Sequence, residues 1–238
     1  MTDAHDHAMQ DNCATMDDQR RPLRADAERN RRRLLDAATE VFCERGLDVG
    51  VGEIAERAGV GRGTLFRNFP SKEHLIAAIV VERMQDMIER GRAALASPDP
   101  GEALFEAIEQ SAGIKQTDRA LFDGLDDEWL ANEEIHAAHT ELMSVVDALV
   151  RRAQDAGAVR EDVTAVDVMV MVKGVCEASR SFQHVDPDLA ARQLDLVRAA
   201  ISTPAALRPL RGRRPVIEDL ERALDPQSGQ PVARSAPA

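Results

Sequence analysis

The chain has no tyrosine at all, and its aromatic content is 3%, made up of six phenylalanines and one tryptophan. Sheet proteins lean on aromatic and β-branched side chains, so this scarcity, with Ala, Leu, Arg, Asp and Glu dominating, predicts helix throughout and an all-α fold. Cysteine is scarce too. Cys13, Cys43 and Cys176 lie far apart with no C-x-x-C pair, which argues against a disulfide framework or a structural zinc site and for a reducing compartment. No apolar run approaches the length needed to cross a bilayer, and charges stand near the amino terminus where a signal peptide has its apolar run. The expectation is a cytoplasmic protein with no membrane partner. G-x-S-x-G, Walker and dinucleotide fingerprints are all missing, and the sequence implies no cofactor.

What the chain does have is charge, unevenly placed. The formal net charge is -12 over 238 residues, yet Arg20–Lys72 holds twelve basic and eight acidic residues; that stretch is +4, which leaves -16 elsewhere. With 44% hydrophobic residues the chain can bury a sizeable core, and a basic unit joined to an acidic body predicts two domains.

The basic unit is organised around Val51–Lys72, VGEIAERAGVGRGTLFRNFPSK. Ile54, Ala55, Ala58, Val60, Leu65, Phe66 and Phe69 recur at helical spacing, interrupted by Gly59 and closed by Pro70. This predicts a helix over Val51–Ala58, a turn at Gly59 where positive φ is cheap, and a second helix from about Arg62. Ala55, Gly59 and Leu65 supply the close contact, sharp turn and shared core of a helix-turn-helix. Arg57, Arg62, Arg67 and Lys72 fall in a window without any acidic residue. A helical hairpin with solvated charges has the same apolar pattern; the local charge excess in an acidic chain favours a face for duplex DNA instead.

The longer stretch RLLDAATEVFCERGLDVGVGEIAERAGVGRGTLFRNFPSKEHLIAAI resembles the amino-terminal domain of TetR-family transcriptional regulators. The resemblance covers about Arg29 to Val81. It includes an F-x-x-x-G pattern closing the first helix (Phe42 to Gly46) and a K-x-x-L pattern opening a long fourth helix (Lys72 to Leu75). It implies a homodimeric, DNA-binding regulator, more often a repressor than an activator. Double-stranded DNA with a near-palindromic operator would be one partner and an unknown small-molecule effector the other. Carried over position by position, the DNA contacts are Gly50, Val51, Arg62, Gly63, Thr64, Phe66, Arg67, Asn68 and Lys72.

Departures at four positions fall where the family usually places polar groups. Gly50 and Gly61 stand where Thr or Ser commonly cap the second and third helices, Phe66 replaces a Tyr whose hydroxyl often contacts the backbone, and Asn68 replaces a frequent His. A glycine cap is tolerable but offers phosphate no side-chain oxygen. Arg62, Thr64, Arg67 and Lys72 are then expected to carry more of the positioning, with a steeper salt dependence.

The remainder is read as follows. Residues 1–23 form a polar extension without periodicity, and the seven arginines of Arg20–Arg33 suit a phosphate backbone or a narrow minor groove. The DNA-binding domain with its linking fourth helix spans 24–96, a regulatory domain 102–203, and a basic, Pro-rich tail 204–238. Helices are expected near 25–45, 71–96, 102–114, 117–131, 133–156, 164–183 and 187–202. Cys43 lies beside the inward face of the first. In TetR-like regulators the rear interior often holds a ligand, so Phe105, Phe122, Trp129, Met143 and Met169 are candidate lining for an apolar effector. The resemblance likewise implies that the last two helices pair across a two-fold axis, with Met171, Val175, Leu194 and Val197 as candidate interface residues. Arg208, Arg211, Arg213 and Arg214 either add nonspecific DNA affinity or pack against the acidic body, which the excess negative charge favours.

Two alternatives remain at this stage. One is a helix-turn-helix regulator whose rear domain binds a protein. The other is a helical metal enzyme built on Glu133-x-x-His136 and His139, for which the sequence shows no second such pair and no metal is predicted.

Overall fold

Glycine decides where the first helices stop. In the computed structural model, which describes residues 26, 28–117, 132–182, 184–210, 213 and 215–219, helix α1 occupies residues 28–45 and ends on Gly46 at φ +78°. Gly46 N–H donates to Phe42 C=O at 2.8 Å, while the Phe42 side chain is fully buried. The F-x-x-x-G spacing is therefore a core anchor and its own helix stop. Helix α2, Val51–Arg57, ends on Gly59 at φ +63°, with Val60 N–H to Ala55 C=O at 3.0 Å and Gly59 N–H to Glu56 C=O at 3.0 Å, the paired bonds of a Schellman stop. Helix α3 is Arg62–Asn68, and α4 runs Lys72–Ala94 after Pro70 and Ser71.

The molecule divides into two compact units, Met1–Val81 with Ala120–Asn132, and Glu82–Arg119 with Glu133–Ala238. The division falls inside α4. In the first unit Leu34, Ala38, Val41, Phe42, Ile54, Ala55, Leu65, Phe69, Leu75 and Ile79 are buried. Ala55, Gly59 and Leu65 stand as the helix-turn-helix requires. Phe66 shares the apolar spacing but points outward, on the side a DNA contact needs, and is 47% exposed, because Leu65 and Phe69 already fill the inward stripe of a seven-residue helix. Cys43 is exposed, one position beyond the stripe of Leu34, Leu35, Ala38, Val41 and Phe42.

The second unit holds α5 (Pro100–Thr117), α6 (Glu133–Asp155), α7 (Ala165–Ser179) and α8 (Leu189–Ile201), with short 3-10 turns at Arg180–Phe182 and Pro204–Ala206. Helix α5 starts two residues earlier than the sequence pattern suggests. Asp99 Oδ1 accepts the Glu102 N–H at 3.0 Å, and Pro100 takes the first helical position, where its missing N–H costs nothing. Helix α7 opens on a reciprocal capping box, Asp167 N–H to Thr164 Oγ1 at 3.2 Å and Thr164 N–H to Asp167 Oδ2 at 2.9 Å. That box starts the Val- and Met-rich segment as the helix expected near 164–183. Helix α7 packs on α8 and α5, and α5 packs on α6. None of the described helices is long and apolar enough to cross a membrane.

The segment after α8 is tied to this unit by ion pairs. Arg208 reaches Glu102 at 2.9 Å, and Arg213 reaches Asp186 at 3.2 Å and Asp219 at 2.5 Å. These arginines pack against the acidic body. Arg211 and Arg214, the 1–23 extension and all of the expected 117–131 helix beyond Thr117, which ends α5, lie outside the described residues.

Candidate nucleic-acid interface and cavity

Three of the four cations counted in the basic window are available at its surface. Arg57 is not: it reaches Glu44 at 2.9 Å and Glu40 at 3.3 Å, both on α1. Its hydrogen bonds to Glu44 and then Glu40 hold the guanidinium more firmly protonated than usual, and the bond from Arg57 draws Glu44 below its ordinary value. Arg57 therefore fastens α2 to α1. Arg62 leans across α2 at Gly52; a Cβ on residue 52 would sit 2.4 Å from its Nη2. Glycine at 52 is what lets the Arg62 side chain lie there.

Helix α3 carries the rest. Arg67 Nε donates to Gly63 C=O at 3.1 Å and its Nη2 to Thr64 Oγ1 at 3.3 Å, so both side chains are held along the helix's own surface. Asn68 Nδ2 donates to Thr64 C=O at 2.8 Å. Arg62, Gly63, Phe66 and Arg67 are exposed; Val51, Thr64, Asn68 and Lys72 are half-buried, and Gly50 is exposed at the start of α2. Neither Gly50 nor Gly61 provides a side-chain cap. Arg31 lies over the Phe69 ring at 4.6 Å, so one arginine of the amino-terminal basic stretch is anchored to the core residue that closes α3. Gly52, missed by pattern reading, positions this surface by admitting Arg62, and the contact of Arg31 with Phe69 is one that the charge of the basic stretch does not mark.

In the second unit α4, α5, α6 and α7 line a partly open cavity of about 60 Å³. Met87, Leu104, Val145 and Met169 line it, Ser111 adds a hydroxyl, and no charged side chain is among its lining residues that the structure describes. At Gly91 a Cβ would lie 2.6 Å from Val145 Cγ1, so glycine permits the close approach of α4 to α6 beside the cavity. Of the five residues expected to line a pocket, Met169 does so. Phe105 instead lies under the Arg198 guanidinium at 4.2 Å, Met143 is half-buried away from the lining, and Phe122 and Trp129 lie outside the described residues. Arg198 also pairs with Glu102 at 2.7 Å, and that hydrogen bond is the main reason the Glu102 carboxyl sits below its usual value.

Helices α7 and α8 expose apolar side chains, and the four expected interface residues are not the most exposed of them. Leu194 and Val197 are covered by their own chain, whereas Met171 and Val175 are half-buried. The outward residues are Val166, 61% exposed, Val170, 63% exposed, and Leu196, 42% exposed. A helix apolar on most sides does not announce which stripe its own domain covers. On α6, Glu133 and His136 are exposed, and among the described residues no group of three or more His, Cys, Asp or Glu is placed to hold a metal.

Comparison with known proteins agrees with this geometry. Residues 34–79 match the model of "Bacterial regulatory proteins, tetR family", and residues 99–201 match "Transcriptional regulator SbtR-like, C-terminal domain". A TetR transcription regulatory protein from Mycobacterium vanbaalenii is 32% identical, with TM-score 0.59 over 76% of this chain and 100% of that one. The TetR regulator SCO0520 of Streptomyces coelicolor is 31% identical, with TM-score 0.57 over 73% and 99%. The HTH-type transcriptional regulator SrpR of Pseudomonas putida is 26% identical over 147 residues, 58% of this chain and 67% of SrpR. With its helix-turn-helix, its cationic α3 and both halves matched, the chain belongs to the TetR family of DNA-binding transcriptional regulators.

Proposed function

We propose that the protein is a homodimeric repressor that leaves a near-palindromic operator when an uncharged, apolar small molecule occupies the second unit. The observation that carries the DNA half of this reading is the outer surface of α3, where Arg62, Phe66 and Arg67 are all exposed, with no acidic residue between Arg57 and Lys72. Gly50, Val51, Gly63, Thr64, Asn68 and Lys72 complete the contact set, the glycines through backbone N–H groups. A two-fold dimer presents two such helices about one duplex turn apart. The outward Val166, Val170 and Leu196 supply apolar surface for that dimer.

The lining of the cavity supports the effector half. Its walls are apolar with one serine hydroxyl, so a charged ligand would be stranded there without a counter-ion. At about 60 Å³ it is smaller than the several hundred Å³ a drug-sized molecule fills, so an occupant displaces walls that include Met87 and Gly91 of α4. Movement of α4 is the route by which occupancy reaches the DNA-binding helices. To lower operator affinity a thousandfold, the effector must favour the non-binding shape by about 4 kcal/mol.

The test is binding of the purified protein to DNA from upstream of its own gene, against a scrambled duplex, across a salt series. Selective binding by a dimer at physiological salt, released by an apolar compound, is the expected result. Equal, weak binding to both duplexes, together with failure to select any sequence from a random library, would remove the reading.

A further inference from the structure

Phe66 is an apolar group in a place that otherwise offers cations. Its neighbours in the sequence and on the surface are accounted for: Leu65 and Phe69 are core, Arg67 is hydrogen-bonded along α3, and Arg62 leans over Gly52. That leaves the phenylalanine ring, 47% exposed, on the same short helix as the exposed Arg62 and Arg67. The ring has no hydroxyl, so it cannot donate to a phosphate. Pressing it against a charged backbone would desolvate phosphate oxygens without giving them a hydrogen bond.

In the major groove the base edges present donors, acceptors and one apolar group, the C5 methyl of thymine. We propose that Phe66 is a specificity-determining residue whose ring packs on the C5 methyl of one thymine in each operator half-site. This rests on the reading of α3 as the recognition helix. Arg62 and Arg67 hold the helix to the flanking phosphates, and the ring turns the apolar contact into a preference for T·A over the other pairs. An exposed ring costs the unbound protein little to keep, because Leu65 and Phe69 alone complete the inward stripe.

The experiment uses the full chain and a duplex selected by it from a random library. Each thymine of one half-site, with its symmetry mate, is replaced by deoxyuridine, which removes only the methyl. Dissociation constants are measured at fixed salt for wild type, Phe66→Ala and Phe66→Leu. Wild type is expected to lose about fourfold per half-site at one thymine position and little elsewhere, the worth of one buried methyl. Phe66→Ala binds the thymine and deoxyuridine duplexes equally, while Phe66→Leu keeps part of the discrimination. Since residue 66 is outward-facing, circular dichroism melting of both variants close to that of wild type checks that the fold survives.

A flat deoxyuridine profile for wild type overturns the inference, as does full methyl discrimination in Phe66→Ala, which would place another side chain on that methyl. An equal loss for Phe66→Ala on both duplexes, with wild type blind to the methyl, would put the ring on a sugar instead. Failure to select any sequence removes the DNA-reading role of α3 and this inference with it; a selected sequence with a flat profile removes only the thymine contact.

Discussion

The outer faces of α3 and α7 both expose apolar side chains, and the groups around them differ. On α3 a single exposed ring shares the helix with the exposed Arg62 and Arg67, and on α7 Val166 and Val170 lie one turn apart with Leu196 of α8 also outward. An isolated apolar group among cations suits a surface that is mostly charged and polar, such as a duplex groove; adjacent aliphatic residues suit a second apolar surface. The two helices differ in support as well. Arg57, Glu40 and Glu44 pin α2 to α1 through exposed ion pairs, which are individually weak and screened by salt. The second unit carries its Arg198–Glu102 pair largely out of water, stacked on Phe105. Exposed charge thus positions the head, whereas packing and part-buried charge hold the body.

Mutations should break that contrast in order. Val166→Glu combined with Val170→Glu is expected to produce a monomer by analytical ultracentrifugation and to weaken operator binding by about a thousandfold, since each monomer then binds a half-site alone. A variant that stays dimeric would move the interface off this face. Arg67→Ala is expected to cost about 10- to 100-fold in operator affinity with dimerisation unchanged. Lys72→Ala should cost less and lower the salt slope by about one phosphate contact. Normal operator affinity in both would show that the wrong face of the head has been chosen.

Gly59→Ala forces a Cβ into positive φ and into Arg33, whose Nη2 would lie 2.7 Å from it; a loss of about 1 to 2 kcal/mol in chemical denaturation is expected. The smallest effect is acid sensitivity of the body. Because Arg198 holds the folded Glu102 pKa below its unfolded value, its stabilisation is present above the ordinary carboxylate range and is lost as pH falls through the depressed folded value. Glu102→Gln should lower the melting temperature near neutrality, and the gap to wild type should close as pH falls below about 4. A constant gap down to pH 3 would mean the carboxylate's charge contributes nothing.

The head was largely legible because its signals are local. Gly46 and Gly59 sit where only a positive φ continues the chain, Phe42 and Leu65 recur at helical spacing, and Pro70 stops α3, so each helix could be bounded from residues a few positions apart. Phe66 was harder: it matches the apolar spacing, yet a seven-residue helix has room for only one inward stripe. The role of Arg57 was equally hidden, since its partners Glu40 and Glu44 are seventeen and thirteen residues away in sequence.

The body shows the limit. That α7 is helical was legible from the length and apolar content of 164–183, as was its need for cover on most sides, and the Thr164–Asp167 cap shows where it starts. Which side remains outward does not follow, and the interface residues carried over from the family resemblance include Leu194 and Val197, which α8 turns inward. Sequence alone determined the helical class, the helix-turn-helix and the basic patch, because caps, turns and charge density act over a few residues. Only the tertiary structure decided that Phe66, Val166 and Val170 face out, that Met169 lines a cavity while Phe105 supports Arg198, and that Gly52 and Gly91 admit neighbours. Those outcomes depend on which surfaces meet after the chain has folded back on itself, and no local rule encodes the partner of a face.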